Sequence, residues 1–403
     1  MRILIVSTPW SGVYNYRYKL WLDKLAFQGR VVYTTTDVIS PQIIDDYKPD
    51  ILCFTQGIKF SDLASFMKSI VKNNVAIYYD IDDYPFLVDD SHYLYSVSPF
   101  FADTILNLMT YADYVAFSTE YIKNLIEKAI LINAKRFGYM GDNVSLPSYK
   151  FGVFENRINV ELYSPKKTEN YPLRVGFQGS TSHLLDVIFM VRALKDLASK
   201  FDFELHIWGI DLNFLNYNDY FETLLRKALG VLDVDNLNLE EISNVYLKYI
   251  YELWQSLKEA EAAGLKIRCH AWVNLYDYYI KFSYLNFDIG LAPLQDTIFN
   301  RCKSALKFYE YSIFGIPTAA SNVIPYSLEC NYLIDNTYES WFEKLGALIS
   351  DEKLRKRVAE EAREWVFANR VLNDEYIERR YQSLLQAREN VKLRNEDAVK
   401  SFL

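Results

Sequence analysis

Two lysines, a serine and a glutamate crowd one short stretch of this chain. Lys303, Ser304, Lys307 and Glu310 follow a polar loop, Gln295 to Ser304. They open a segment in which Ala305, Phe308, Tyr309 and Ile313 recur at helical spacing. A helix starting at Lys303 would bring Lys303, Lys307 and Glu310 onto one face. The free N–H groups and positive dipole end of a helix start favour an anion, and two ammonium groups add point charge suited to phosphate. A carboxylate beside such a site can accept hydrogen bonds from sugar hydroxyls. An ordinary solvated helix face with an i,i+3 ion pair has the same spacing, so spacing alone leaves both readings open.

The elements that must position these groups are legible around them. Phe287–Leu291 is a short apolar, strand-like run that ends at Pro293, Gly315-Ile316-Pro317 stops the helix, and Thr318–Ser321 begins the next strand. A loop between a strand end and a helix start is where open α/β sheets bind ligands. The same alternation runs through the first half. Ile3–Val6, Val31–Thr34, Ile51–Phe54, Val75–Tyr79 and Tyr114–Phe117 read as strands. Tyr14–Phe27, Phe60–Val71, Phe100–Tyr111 and Glu120–Ile130 read as helices. This βαβα order predicts a mostly parallel sheet covered on both faces. In the second half, Leu173–Phe177, Phe203–Trp208 and Lys266–Ala271 are strand-like. Leu184–Leu197, Asp351–Ala368 and Glu375–Gln386 are helical, and the polar tail after Arg388 is expected to fray. Gly209 to Gly264 is too long for a connection and ends in a helix-like run, Leu239–Ala263. It reads as a helical insertion: a self-packing decoration, a lid, an oligomer contact, an acceptor platform or a membrane-surface element.

Three further places carry chemistry. Asp80, Asp82 and Asp83 stand just beyond a buried strand, where three carboxylates repel one another unless they meet solvent, a cation or polar hydroxyls. Metal binding, capping of the next segment and sugar contact compete there. Gly12, in the turn after the first strand, lets backbone approach a ligand, or simply makes a βα turn. Gly179 and Ser180, followed by His183, form a small-residue turn between a strand and a helix start. That is a second candidate anion cradle, although a lone histidine is more often structural.

Composition bounds the rest. The 403 residues suit two or three domains, and half are apolar, enough for two cores. A net charge of −8 argues against general nucleic-acid binding. Cys53, Cys269, Cys302 and Cys330 form no CxxC pair and no metal-ligand spacing with the four histidines. Scattered cysteines, a first apolar run too short for a signal peptide and no long apolar segment suggest a cytoplasmic protein, with peripheral membrane association left open.

Several segments together resemble the retaining glycosyltransferases of the glycosyltransferase-B fold. Asp288-Ile289-Gly290-Leu291-Ala292-Pro293, Glu310 and Gly315-Ile316-Pro317-Thr318-Ala319-Ala320-Ser321 are similar to that family's donor-site segment. Phe299 to Tyr311, with Asn300, Lys303, Ser304 and Lys307, resembles a subgroup pattern. Asp80 to Asp83 and Gly179 to His183 resemble the same subgroup, and Phe154 to Pro165 resembles the family's crossing between domains, with Arg157 and Asn159 replacing the usual glycine and aspartate. The family's second glutamate, which contacts the transferred sugar, is replaced here by Cys302.

The resemblance implies two doubly wound Rossmann-like domains facing across a cleft, with the helical insertion at about 210–264 in the second. The first would span 1–164 on the acceptor side and the second 165–374 on the nucleotide-sugar side, with a helix at 375–403 crossing back. It implies retaining transfer of a sugar from a nucleoside diphosphate sugar to a hydroxyl of a glycan, lipid-linked or protein acceptor, without a cofactor and without a required metal. Lys303, Lys307 and Glu310 would act on the donor, Glu310 by holding the ribose, and Asp82 or Asp83 as acceptor-side base. Gly12, Gly179, Ser180, His183, Asn300 and Ser304 would contact the donor, and Trp272 and Val273 would lie over the nucleobase. A non-catalytic, transferase-like binding subunit and a sugar-nucleotide epimerase of the same fold are the alternatives.

Overall fold

Each half of the chain builds its own six-stranded parallel sheet in this computed structural model. The structure describes residues 1–9, 11–55, 63–83, 105–136 except 107 and 110, 150–164, 170–210 and 245–402. The first sheet contains β1 (Arg2–Val6), β2 (Val32–Thr36), β3 (Ile51–Phe54), β4 (Ala76–Ile81), β5 (Tyr114–Phe117) and β6 (Phe151–Val153) in the order β2-β1-β3-β4-β5-β6. The second contains β7 (Leu173–Gln178), β8 (Phe203–Trp208), β9 (Lys266–His270), β10 (Ile289–Ala292), β11 (Thr318–Ser321) and β12 (Leu333–Ile334) in the order β12-β11-β10-β7-β8-β9. The central strands β3, β4, β5, β10 and β11 are buried along their whole length. That is why they read as unbroken apolar runs rather than alternating ones.

In chain order the helices are α1 (Gly12–Tyr14), α2 (Leu20–Phe27), α3 (Pro41–Tyr47), α4 (Leu63–Lys72), α5 (Glu120–Arg136), α6 (Leu184–Ala198) and α7 (Val245–Ala262), then α8 (Leu275–Leu285), α9 (Ile298–Arg301), α10 (Leu306–Ile313), α11 (Tyr326–Glu329), α12 (Tyr338–Ser350), α13 (Glu352–Asn369) and α14 (Asp374–Phe402). Between α1 and α2 the chain widens into one π-helical turn, Asn15–Lys19. Of the insertion, α7 packs on α6, and 211–244 lie outside the described residues, as does most of the helix expected at Phe100–Tyr111.

The last helix belongs to the first sheet. Tyr376, Ile377, Leu384, Ala387 and Val391 of α14 share an apolar cluster with Ile3, Ile5, Trp21 and Leu25. Arg380 of α14 and Arg17 of the π turn meet on Asp80 at the end of β4, all three fully buried. The crossings between the halves are stitched together where Ile158 pairs with Val371. Two sequence expectations are corrected. The helix expected from Lys303 begins at Leu306, because α9 and a turn through Ser304 intervene. The tail expected to fray after Arg388 continues as helix to Phe402. Ala387, Asn390 and Val391, buried on the first sheet, hold its first part.

Candidate functional site

A cavity of about 350 Å³ opens where the carboxyl end of the second sheet meets the first turns after β1. Gly12 and Tyr16 line one side, and Gln178, Gly179, Ser180, Trp208 and Gly209 the strand ends. Trp272, Val273, Leu275, Tyr278, Leu306, Lys307 and Glu310 complete it. Its walls are mostly apolar, with a few convergent polar groups, as in most small-ligand sites.

Glu310 is the polar centre. It lies in α10, only 4% exposed, and no cation among the described residues forms an ion pair with it. Its Oε1 accepts from the hydroxyls of Tyr16 at 2.5 Å, Tyr278 at 2.8 Å and Tyr163 at 3.0 Å. Its Oε2 accepts from Gln178 Nε2 at 2.6 Å and from the Tyr278 hydroxyl at 2.8 Å. Burial pushes this carboxyl above the usual range, while hydrogen bonds from Tyr16, Tyr278, Gln178 and Tyr163 pull it back. The tyrosines come from three places: the π turn, the interdomain crossing and α8. The π turn (a frequent feature of functional sites) sends Tyr16 to Glu310 and Asn15 to Tyr279 of α8 while Arg17 enters the core. Each hydroxyl is held protonated by burial and by the carboxylate beside it.

One turn before Glu310, the Lys307 Nζ lies 2.9 Å from His183 Nε2. Burial, then Lys303, pushes Lys307 down to about 7. The other ring nitrogen of His183, Nδ1, is 2.6 Å from Asp186 Oδ2. Asp186 Oδ1 accepts from the backbone N–H of Gln295 at 2.6 Å and from Asn300 Nδ2 at 3.4 Å. Among the described residues the buried Lys303 Nζ finds no hydrogen-bond partner, and it stands 4.7 Å from the Phe299 ring centre. An unpaired buried ammonium is costly, which marks this corner as one an incoming anion would stabilise.

The glycines are explained differently. A Cβ on Gly179 would stand 2.7 Å from the Phe177 ring and 3.0 Å from His183, so Gly179 makes room for the histidine. Beyond Gly12's chain neighbours and its own helix, no described residue comes within 4 Å of a Cβ placed on Gly12, and Gly12 lines the cavity. The open space there belongs to the cavity rather than to a neighbouring side chain.

The first domain brings carboxylates to the same region. Asp80 is taken up structurally by its two arginines. Burial and then Asp83 raise Asp82 above the ordinary carboxylate range. Asp83 acts electrostatically on both Cys302 and Lys307 across the cleft. Cys302, where the resemblance leads one to expect a glutamate, is fully buried and joins the first domain's cluster with Leu4, Val6, Phe54 and Phe117. A carboxylate there would be buried in apolar surroundings. Burial, then Asp83, pushes the thiol up to about 12, which disfavours the thiolate that nucleophilic chemistry needs.

Of the residues singled out from sequence, Gly12, Gly179, Ser180, Trp272, Val273, Lys307 and Glu310 line the cavity, and His183 reaches it through Lys307. Lys303, Ser304 and Asn300 do not. Asn300 braces the loop after β10, through Gln295 O and Asp186. Ser304 accepts from Asn156 of the interdomain crossing at 2.9 Å. Sequence reading missed Tyr16, Tyr163, Tyr278, Gln178, Trp208 and Asp186. Only Asp186 had a usable signal, an acidic residue three positions after a histidine in the first turn of a helix. Among the described residues, no three His, Cys, Asp or Glu side chains gather as a metal site, and no helix is long and apolar enough to cross a membrane.

No protein-family model matches this chain, and no curated protein matches it. Solved structures match it in shape. An alpha-glucosyltransferase in complex with UDP and a 13-mer DNA is 13% identical, with a TM-score of 0.54 over 96% of this chain and 99% of that one. A UDP-forming trehalose-phosphate synthase from Burkholderia xenovorans is 12% identical, with a TM-score of 0.53 over 93% and 84%. TarM of S. aureus, in a complex with Fondaparinux, alpha-GlcNAc-glycerol and UDP, is 14% identical, with a TM-score of 0.50 over 85% of this chain. This chain spans 57% of the length of TarM. These likenesses establish the fold: two Rossmann-like domains in the glycosyltransferase-B arrangement.

Proposed function

We propose that this protein transfers a sugar from a nucleoside diphosphate sugar to an acceptor hydroxyl with retention of configuration, in the synthesis of a glycan, glycolipid or glycoprotein. One observation carries the reading. Lys307 and Glu310, one turn apart on α10, project into a single cavity at the mouth of the cleft. The lining of that cavity combines an ammonium, a hydrogen-bonding carboxylate and apolar side chains, Trp272, Val273 and Leu275. A nucleoside diphosphate offers a matching set of groups: charged phosphates, a diol and a flat base.

In this reading, negative charge grows on the leaving diphosphate as the bond to the sugar breaks. Lys307, with Lys303 behind it, stabilises that charge. Asp82, with its affinity for a proton raised, suits an acceptor-side base, aided by the departing phosphate. The ribose hydroxyls take over lone pairs of Glu310 that tyrosine hydroxyls now occupy. The fold comparisons support UDP as the first nucleotide to test, because several of the matching structures hold it.

Calorimetric titration with UDP, then GDP, ADP and TDP, tests the reading. One of them should bind in the micromolar range, and Lys307→Ala should weaken it at least tenfold. Absence of binding by all four to folded protein would refute the donor site.

A further inference from the structure

The His183 ring sits between a carboxylate and an ammonium, and that placement determines its protons. Asp186 Oδ2 accepts, so His183 Nδ1 carries a hydrogen, and Nε2 then offers a lone pair to the Lys307 ammonium 2.9 Å away. The ring cannot drift. Phe177 packs edge-on at 6.1 Å, and the missing side chain of Gly179 leaves room for it. Asp186 is itself pinned, at the first turn of α6 and 2% exposed, with Oδ1 on the Gln295 backbone N–H.

We propose that Asp186 is a positioning residue for the diphosphate end of the site: it fixes His183 as the Nδ1–H tautomer, so that Nε2 holds Lys307 at the phosphate cradle. This rests on the donor-site reading above. The same carboxylate balances charge. Lys307 faces Lys303 on the preceding turn, Glu310 on its own helix, Asp83 from the end of β4 and Asp186 from α6, besides His183. Lys303 opposes its protonation, whereas Asp186, Glu310 and Asp83 favour it. Asp186 therefore has two effects on one lysine: it aims the ammonium through the histidine and supports its charge.

Asp186→Asn separates these roles from simple bracing. If the amide oxygen stays on the Gln295 N–H, the NH2 faces His183 Nδ1 and forces the opposite tautomer. An Nε2–H would then point at an ammonium. If the amide flips, two N–H groups collide at Gln295. The first arrangement releases Lys307 and the second strains the Gln295 contact; in both, the negative charge that supports the Lys307 ammonium is gone and its pKa falls further. The sign follows. An anion binds the protonated lysine, so affinity decreases as pH rises through the Lys307 pKa, and losing Asp186 moves that decline to lower pH.

The experiment titrates wild type, D186N, His183→Gln and the double variant with UDP and with inorganic pyrophosphate, from pH 6 to pH 8.5. The expected result is a decline displaced by about one unit to lower pH in D186N for both probes. At pH 8 the loss should be roughly tenfold, and the double variant should lose no more than the worse single one. A D186N profile parallel to wild type overturns the inference and leaves Asp186 a brace for the loop after β10. Additive losses in the double variant overturn it too, since the two residues would then act separately. Should wild type bind neither probe, the donor-site reading falls and this inference with it. Thermal melts of each variant exclude loss of fold.

Discussion

Two buried carboxylates, Asp80 in the first domain and Glu310 in the second, are satisfied in opposite ways. Asp80, in the first domain, sits between two guanidinium groups, with Arg17 Nε at 2.7 Å from one oxygen and Arg380 Nη1 at 2.7 Å from the other. Glu310, in the second, has no cation bonded to it among the described residues and is held by three tyrosine hydroxyls and an amide. Ionic partners cannot be removed without stranding a buried charge, so Asp80 is a fixed joint that clamps α14 to the first sheet. Hydroxyl partners can be exchanged for other hydroxyls at little cost. The Glu310 arrangement is what a site for a polyol needs while it is empty. Burial alone would not distinguish the two; the chemistry of the partners does.

The largest effect should come from breaking the ionic joint. Asp80→Ala leaves Arg17 and Arg380 buried without their counter-charge and should destabilise the protein by about 3–5 kcal/mol. Urea unfolding measures this, and a loss below about 1 kcal/mol would remove the distinction drawn here. Glu310→Gln should behave differently. The raised pKa of Glu310 means that its folded state holds a proton more tightly than its unfolded state. Above that pKa the buried charge weakens the fold, and acidification toward it relieves the cost. Removing the charge should therefore change stability by no more than about 1 kcal/mol, while UDP affinity falls at least tenfold. Loss of fold in Glu310→Gln would make this carboxylate structural as well.

The same contrast accounts for how much of the molecule was legible in its sequence. Runs such as Ile51–Phe54 and Phe203–Trp208 are buried strands because they are apolar throughout, and alternation with helical patterns fixed two parallel sheets. Lys307 and Glu310 were legible because they lie three apart on a real helix. The start at Lys303 was misplaced because α9, a four-residue helix capped by Thr297, is too short to carry a period. Asp80 looked like its neighbours Asp82 and Asp83, since its partners lie 63 and 300 residues away. No local pattern reports contacts at that range. The tyrosines around Glu310 were hidden for a related reason. In a chain with 33 of them, nothing about Tyr16, Tyr163 or Tyr278 separates a hydroxyl aimed at a carboxylate from one packed in a core.

The smallest effect is also the one that discriminates best. Tyr16 is the only one of the three tyrosines that comes from the helical turns after β1, and its hydroxyl bridges to Glu310 across the cleft. If Glu310 exchanges hydroxyls with a ribose, Tyr16 competes with the donor for the same oxygen. Tyr16→Phe keeps the ring and removes the competitor. One hydrogen bond is worth about 1 kcal/mol net, so stability should fall by roughly that amount. UDP should then bind about fivefold more tightly, because the ligand no longer displaces an internal partner. A fixed joint predicts otherwise: had Tyr16 the role of Arg17, its loss would weaken binding through a distorted cleft. Calorimetry on this single variant therefore tests whether the hydroxyl cage around Glu310 is a placeholder for substrate, as tighter binding would require, or part of the frame, as weaker binding would require.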